Sequence, residues 1–268
     1  MDAFQAVVLA IIQGLTEFLP VSSSGHLVLP SVLLGWPDQG LAFDVAVHVS
    51  SLSAVLLYFR RDVAQMLLAW CQSLGGRRSD DGRLAWMVIL STLPAVIAGL
   101  LLGDLIEQHL RNGWVLATTT LVFGIALAWA DARGDKSRPL LTLGWQAALF
   151  IGVAQALALV PGTSRSGITM TAALLIGFGR ADAARYSFLL SMPLILAAGT
   201  LKSLELMESA TAVPWGMMLL GVVVSAITAY LCIHAFLAWI ERIGMLPFAI
   251  YRVLLALLLY GLLLAGLA

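Results

Sequence analysis

The apolar positions fall into long runs, and two of those runs are broken in the same way. Residues 3–34 are largely apolar, and Glu17, Pro20, Ser22, Ser23, Ser24, Gly25, His26 and Pro30 interrupt them. A spanning helix needs about 20 mostly apolar residues, and the pieces 3–18 and 26–34 are each too short. Two half-helices joined at 19–25, dipping in and turning back, fit better, because non-helical backbone at membrane depth is tolerated only against protein or a polar cavity. Residues 145–179 repeat the pattern: apolar to Val160, interrupted from Pro161 to Gly167, then apolar to Phe178. The unbroken runs predict spans at 44–59, 84–102, 114–130, 186–201, 214–235 and 248–266. A turn at 35–43 containing Asp38, an amphipathic stretch at 62–75 and charged loops separate them.

Composition narrows the class. Of 268 residues, 60% are hydrophobic and 11% charged, against roughly 25% charged in an ordinary soluble domain; mean hydropathy is +0.95. So little charge cannot cover a soluble globule, and long runs rich in Leu, Ala and Gly do not read as the short alternating segments of a β-barrel. Net charge is zero and no basic domain is present, so nucleic acid is not an expected partner. Cys71 and Cys232 lie in unrelated segments and form no metal or redox motif. Asp2 is the only charge before the first apolar run, so a cleaved signal peptide is not expected.

Basic residues orient the layout. If both broken segments re-enter, loops 60–83, 131–143, 180–185 and 236–247 share one side and carry eleven of the fifteen Lys and Arg. The opposite side carries Arg111 and Lys202. The basic side is cytoplasmic by the positive-inside rule. Full crossing of the second broken segment would weaken this bias. The expected fold is an all-α polytopic membrane protein with six transmembrane helices and two re-entrant helix hairpins, at 3–34 and 145–179. A shift of 142 residues aligns Gln13, Leu15, Ser22, Ser24 and Gly25 with Gln155, Leu157, Ser164, Ser166 and Gly167. With the hairpins entering from opposite faces, this is an inverted-topology repeat, approximately 1–130 and 144–268, within a single membrane domain over 1–268.

The two breaks carry the chemistry. Ionisable groups at membrane depth are costly and mark function by default. Arg165 stands between Ser164 and Ser166, bracketed by Gly162 and Gly167, and its guanidinium fork suits phosphate oxygens. Glycines near a helix start let N–H groups approach an anion, and Ser22, Ser24, Thr163, Ser164, Ser166 and Thr169 add hydroxyls. Arg165 can also pair with Glu17 at rest, hold the two repeats together and open for substrate. Glu17 and Gln13, four residues apart on one helix face, offer oxygens to a hard cation such as Mg2+ or Ca2+. Alternatively, Glu17 positions or deprotonates a nucleophile. His26 has three open roles: nucleophile, general base, or acid for the leaving phosphate. Ser23 is the preferred hydroxyl, with Ser22 as alternative. His48 is read as packing or interfacial. Asp44 lines an entrance or caps a helix. With no P-loop lysine and no HExxH, the implied substrate carries phosphate and lives in lipid.

Glu17-Phe-Leu-Pro-Val-Ser-Ser-Ser-Gly-His26 and Pro161-Gly-Thr-Ser-Arg-Ser-Gly167 resemble the two signatures of the bacterial undecaprenyl-pyrophosphate phosphatase family, also called bacitracin-resistance proteins. The resemblance covers essentially the whole chain. It implies hydrolysis of undecaprenyl diphosphate to the monophosphate and inorganic phosphate, recycling the lipid carrier of peptidoglycan synthesis and conferring bacitracin resistance. It further implies an inner-membrane homodimer, a site opening to the periplasm and a divalent cation, Mg2+ or Ca2+. The family's acidic pair falls on Gln13 and Glu17, its serine and histidine on Ser23 and His26, and its phosphate-binding arginine on Arg165. Gln13 departs from the commoner two-glutamate form and supplies no carboxylate. A transporter or flippase of phosphorylated polyprenyl lipid is the competing reading, since inverted repeats with discontinuous helices are transporter architecture.

Overall fold

The computed structural model describes residues 1–37, 39–134, 137–208 and 215–267. Asp38, Asp135, Lys136 and the stretch 209–214 lie outside the described residues. The chain is all-α, with eleven α-helices among the described residues. The first is α1 (Ala3–Thr16), started by a capping box in which the Asp2 carboxylate accepts the Gln5 N–H and the Gln5 side chain accepts the Asp2 N–H. There follow α2 (Ser23–Leu34), α3 (Leu41–Tyr58), α4 (Arg60–Leu74), α5 (Asp80–His109) and α6 (Gly113–Arg133). The second half holds α7 (Trp145–Ala156), α8 (Arg165–Leu175), α9 (Arg180–Glu208), α10 (Trp215–Ile243) and α11 (Leu246–Leu264).

Among the described residues, five helices are long and apolar enough to cross a membrane: α5, α6, α9, α10 and α11. The pair α3–α4 makes a sixth if counted as one span, bent by 82° at Phe59. The bend divides apolar α3 from amphipathic α4, as the hydropathy pattern divides 44–59 from 62–75. Helix ends differ from the sequence reading. The expected loop 103–113 is helical to His109, the loop 202–213 is helical to Glu208, and the connection 236–247 is helical to Ile243. At 30 residues α5 is about 45 Å long, against about 30 Å of hydrocarbon. Hydropathy marks the lipid-buried band, while Asp80, Asp81 and Arg83 sit in helix beyond it. Ser79 caps that helix by accepting the Gly82 N–H, and Asp80 and Asp81 complement the N-terminal dipole.

The four basic loops meet at one end. Arg180 grips Asp131 at 2.7 and 2.9 Å, and Asp131 also accepts the Met245 N–H. Arg185 pairs with Asp62, and the Glu241 carboxylate accepts the Ala181 N–H. The Arg138 N–H donates to Gly177 O at 2.9 Å, so the second broken segment starts and finishes on this same face. It re-enters. At the other hairpin the rings of Phe4 and Trp36 lie 6.1 Å apart, so that segment also returns to its starting face. The 18 residues of α3, about 27 Å of helix, separate the two faces. The hairpins therefore come in from opposite sides.

Packing between halves is reciprocal. Helix α1 lies on α10 and α7 on α5, while α3 meets α9 and α6 meets α11. Small residues allow the first two contacts. A Cβ added to Gly14 would stand 2.7 Å from Ser225 O on α10, and one added to Gly152 would stand 2.6 Å from Ser91 O on α5. Phe18, fully buried, packs edge-on to Phe188 of α9 at 5.3 Å and anchors the first break in the main core.

Candidate active site

The two breaks share one backbone solution. Ser22 precedes α2 with φ 75° and Ser164 precedes α8 with φ 69°; among the described residues no other non-glycine residue has positive φ. Such a conformation costs a non-glycine residue about 1–2 kcal/mol, and here it stands at both positions that the 142-residue shift aligns. At each, the serine hydroxyl lies 3.2 Å from that of the serine two residues on, Ser24 and Ser166.

The tips then meet. Arg165 Nη2 donates to Glu17 Oε1 at 2.9 Å, with both side chains largely buried. Ser166 Oγ donates to Leu19 O at 2.8 Å, and the Gly162 N–H reaches Ser24 Oγ at 3.4 Å. The second Glu17 oxygen accepts from Gln13 Nε2 at 3.0 Å and from Ser23 Oγ at 3.4 Å. His48 Nε2 stands 3.8 Å from that oxygen, and the His48 Nδ1–H donates to Asp44 O. The resting Arg165–Glu17 pair anticipated from sequence is thus present.

A pocket of about 210 Å³ opens at this junction, lined by Thr16, Glu17, Ser22, Ser23, Ser24, His48, Ala158, Gly162, Ser164 and Arg165. It contains one carboxylate, one guanidinium and five hydroxyls. A larger pocket of about 280 Å³ lies among the basic loops, where the Arg185–Asp62 pair occupies its cation.

The chain belongs to the BacA family. The family described as Bacitracin resistance protein BacA matches residues 6–258. A protein named undecaprenyl-diphosphatase from Chromohalobacter salexigens is 60% identical over 260 residues, 97% of this chain and 98% of the relative. Another of that name from Saccharophagus degradans is 58% identical over 262 residues, 98% of each chain. A third, from Alcanivorax borkumensis, is 60% identical over 257 residues, 95% of this chain and 97% of the relative.

Within this BacA-family pocket, not every expected residue faces the cavity. Ser22, Ser23, Ser24, Gly162, Ser164, Glu17 and Arg165 line it. Thr163, Ser166, Gly167 and Thr169 are buried behind its wall. Ser166 is spent on Leu19 O, and Thr169 bonds Ser187 Oγ at 2.7 Å. His26 is also turned away. Its Nδ1 faces Ser22 O at 2.7 Å, and since a carbonyl only accepts, that nitrogen carries the proton. Nε2 then accepts from the Tyr251 hydroxyl at 2.6 Å. Both ring nitrogens are taken, and the ring stacks on Tyr251.

Three residues were not placed at the site from sequence, His48 among them, which was read as packing or interfacial. His48 is the imidazole that lines the pocket. Tyr251 holds His26. Arg252, fully buried, donates to backbone carbonyls of Thr119, Thr120, Gly162 and Thr163. Arg252 carried a legible signal, a charge in the middle of an apolar 19-residue helix.

The donor set suits a hard cation in one respect. Gln13 Oε1 is buried with no hydrogen-bond partner, an orphan acceptor beside Glu17. Among the described residues no three His, Cys, Asp or Glu side chains cluster as metal ligands. Glu17 and Gln13 offer one carboxylate and one amide oxygen, with further ligands left to phosphate and water.

Proposed function

We infer that this chain hydrolyses undecaprenyl diphosphate to undecaprenyl phosphate and inorganic phosphate. One observation carries the reading: a guanidinium and a carboxylate meet in a hydroxyl-lined pocket where two hairpins join inside an apolar bundle. An aqueous phosphate would not require such depth; a headgroup on a lipid tail would. The names of the relatives, over nearly the full length, agree.

At rest Glu17 neutralises Arg165. An incoming diphosphate offers more charge than one carboxylate, so the Arg165 fork moves to phosphate oxygens. Glu17 Oε2, still bonded by Gln13, then deprotonates the Ser23 hydroxyl for attack at the terminal phosphorus and passes the proton to the leaving lipid phosphate. A water deprotonated by the same carboxylate hydrolyses the phosphoserine to inorganic phosphate and free Ser23, or Ser23 aligns that water for direct attack. The bridging P–O bond breaks, and its electron pair leaves on the lipid monophosphate. The N–H groups of the second break stabilise charge on the transferred phosphoryl group. Glu17 and Gln13 would hold Mg2+ or Ca2+, which supplies further charge neutralisation when bound.

His48 belongs to the part of α3 remote from the basic loops and is partly exposed, which supports a pocket opening on that far face. With basic loops cytoplasmic, this is the periplasmic side of a bacterial inner membrane. A homodimer remains part of the reading through the family resemblance alone. The opposed hairpins also favour a second reading, lipid movement. Phosphate release from undecaprenyl diphosphate by purified protein in detergent, with and without chelator, tests the first. Lipid transfer in proteoliposomes without release would support the second and overturn it.

A further inference from the structure

Three successive carbonyls of the second break point away from the pocket. Pro161 O accepts from Thr119 Oγ1. Gly162 O accepts from Arg252 Nη2 at 2.9 Å and from Thr120 Oγ1 at 3.4 Å, and Thr163 O accepts from Arg252 Nη1 at 3.0 Å. Arg252 Nε adds a bond to Thr120 O at 3.1 Å, so one guanidinium ties the loop to α6. In a trans peptide the C=O and the following N–H point in opposite directions. Holding Pro161 O on Thr119 therefore turns the Gly162 N–H toward the cavity, and holding Thr163 O on Arg252 turns the Ser164 N–H the same way, while the Thr163 N–H is spent on Val160 O. The Gly162 N–H bears this out, since it faces Ser24 Oγ in the pocket wall.

Charge points the same way. Arg252 is 0% exposed, and among the described residues no carboxylate lies within ion-pair distance of it. Its acceptors among the described residues are neutral carbonyls. A guanidinium stays protonated in proteins, so an uncompensated positive charge sits directly beneath the loop. A Cβ on Gly167 would stand 2.7 Å from Arg252 Nη1, which shows how closely it approaches the start of α8.

We propose that Arg252 is a positioning residue for phosphoryl transfer: together with Thr119 it holds the 161–164 loop so that the Gly162 and Ser164 N–H groups face the diphosphate, and its charge favours a polyanion there. It touches no substrate, since Gly162, Thr163 and Gly167 lie between it and the cavity. This rests on the pocket being the diphosphate site.

The test compares parent, Arg252→Lys and Arg252→Met in detergent. Three quantities are measured on the folded fraction: thermal midpoint, kcat and KM with undecaprenyl diphosphate, and affinity for inorganic pyrophosphate. Arg252→Lys keeps the charge but cannot span the carbonyls. Misplaced donors lower its kcat/KM by about 100-fold, mainly in kcat. Arg252→Met loses the charge as well and binds pyrophosphate at least tenfold more weakly than Arg252→Lys. A purely structural role would lower the midpoint but leave kcat, KM and pyrophosphate affinity of folded protein at parental values, and that result overturns the proposal. If neither variant folds, Gly124→Ala carries the test. Gly124 faces Arg252 from α6, and its added methyl would stand 2.9 Å from Arg252 Cβ and 3.5 Å from Nε. Folded Gly124→Ala with a tenfold lower kcat/KM supports the proposal, and parental kinetics refute it. A parent that releases no phosphate overturns the reading of the pocket itself, a separate outcome.

Discussion

Replacing Glu17 with glutamine tests what holds Arg165 at rest. The pair is 2.9 Å apart with side chains 8% and 11% exposed, so solvent screens it little. Removing one partner of a buried pair leaves the other charge uncompensated, at a cost of about 3–5 kcal/mol. At about 2–4 °C per kcal/mol for a chain near this size, the thermal midpoint of Glu17→Gln falls by about 6–20 °C. The double variant Glu17→Gln/Arg165→Gln removes both charges and is expected to melt above either single variant. Binding moves in the opposite direction. With divalent cation removed by chelator, pyrophosphate no longer has to displace a carboxylate from Arg165, and unit charges about 4 Å apart interact by about 4 kcal/mol at an effective dielectric of 20. Realising even a third of that raises pyrophosphate affinity about tenfold. Turnover nevertheless falls by at least about 100-fold, because the base beside Ser23 is gone. Differential scanning fluorimetry, calorimetric titration and phosphate release read the three effects. A double variant that loses the sum of the two single losses, or a Glu17→Gln protein with parental pyrophosphate affinity, would show that the pair is not the resting state of an anion site.

Other changes separate the cavity from its supports. Ser23→Ala is expected to lose at least about 100-fold in kcat with little change in midpoint, whereas Thr169→Ala loses stability through its Ser187 bond, by about 1 kcal/mol, and keeps turnover. Tyr251→Phe removes one hydrogen bond to His26 and lowers stability by about 1 kcal/mol; loss of all turnover in folded protein would instead place His26 in the chemistry. Asp131→Asn weakens the network joining Arg180 and Met245. It lowers the midpoint by several degrees while folded protein keeps its kcat. Chelator is expected to depress phosphate release reversibly, with Mg2+ or Ca2+ restoring it; release unaffected by chelator removes the cation from the account.

The spans were legible because hydropathy reports the lipid-buried band. Helix ends were not, since Asp104, Glu107 and the 202–208 stretch continue helices into polar surroundings. Re-entry of the second segment was legible from the basic loops, and the contacts of Asp131, Arg180 and Met245 give its physical form. Glu17 and Arg165 could be read because an isolated charge in an apolar segment needs a reason. The neighbouring hydroxyls could not be sorted by spacing alone. Ser164 and Arg165 open onto the cavity, while Ser166 and Thr169, three residues apart on one helix face, turn inward. His26 follows the serines in sequence, but helix α2 carries it toward α11. His48 comes to the pocket from a different helix, and only packing brings it there. Arg252 had the same signal as Arg165, but it lies in an unbroken helix, where no glycine or serine draws attention to it.

On the proposed reading, the two hairpin tips meet to form a diphosphate-hydrolysing site. Phosphate release from undecaprenyl diphosphate by purified Arg165→Ala, compared with parent at matched folded fraction, tests it most directly. Losing the guanidinium that must hold the diphosphate is expected to cut kcat/KM by at least about 1000-fold. A folded Arg165→Ala protein that releases phosphate at the parental rate would contradict the claim.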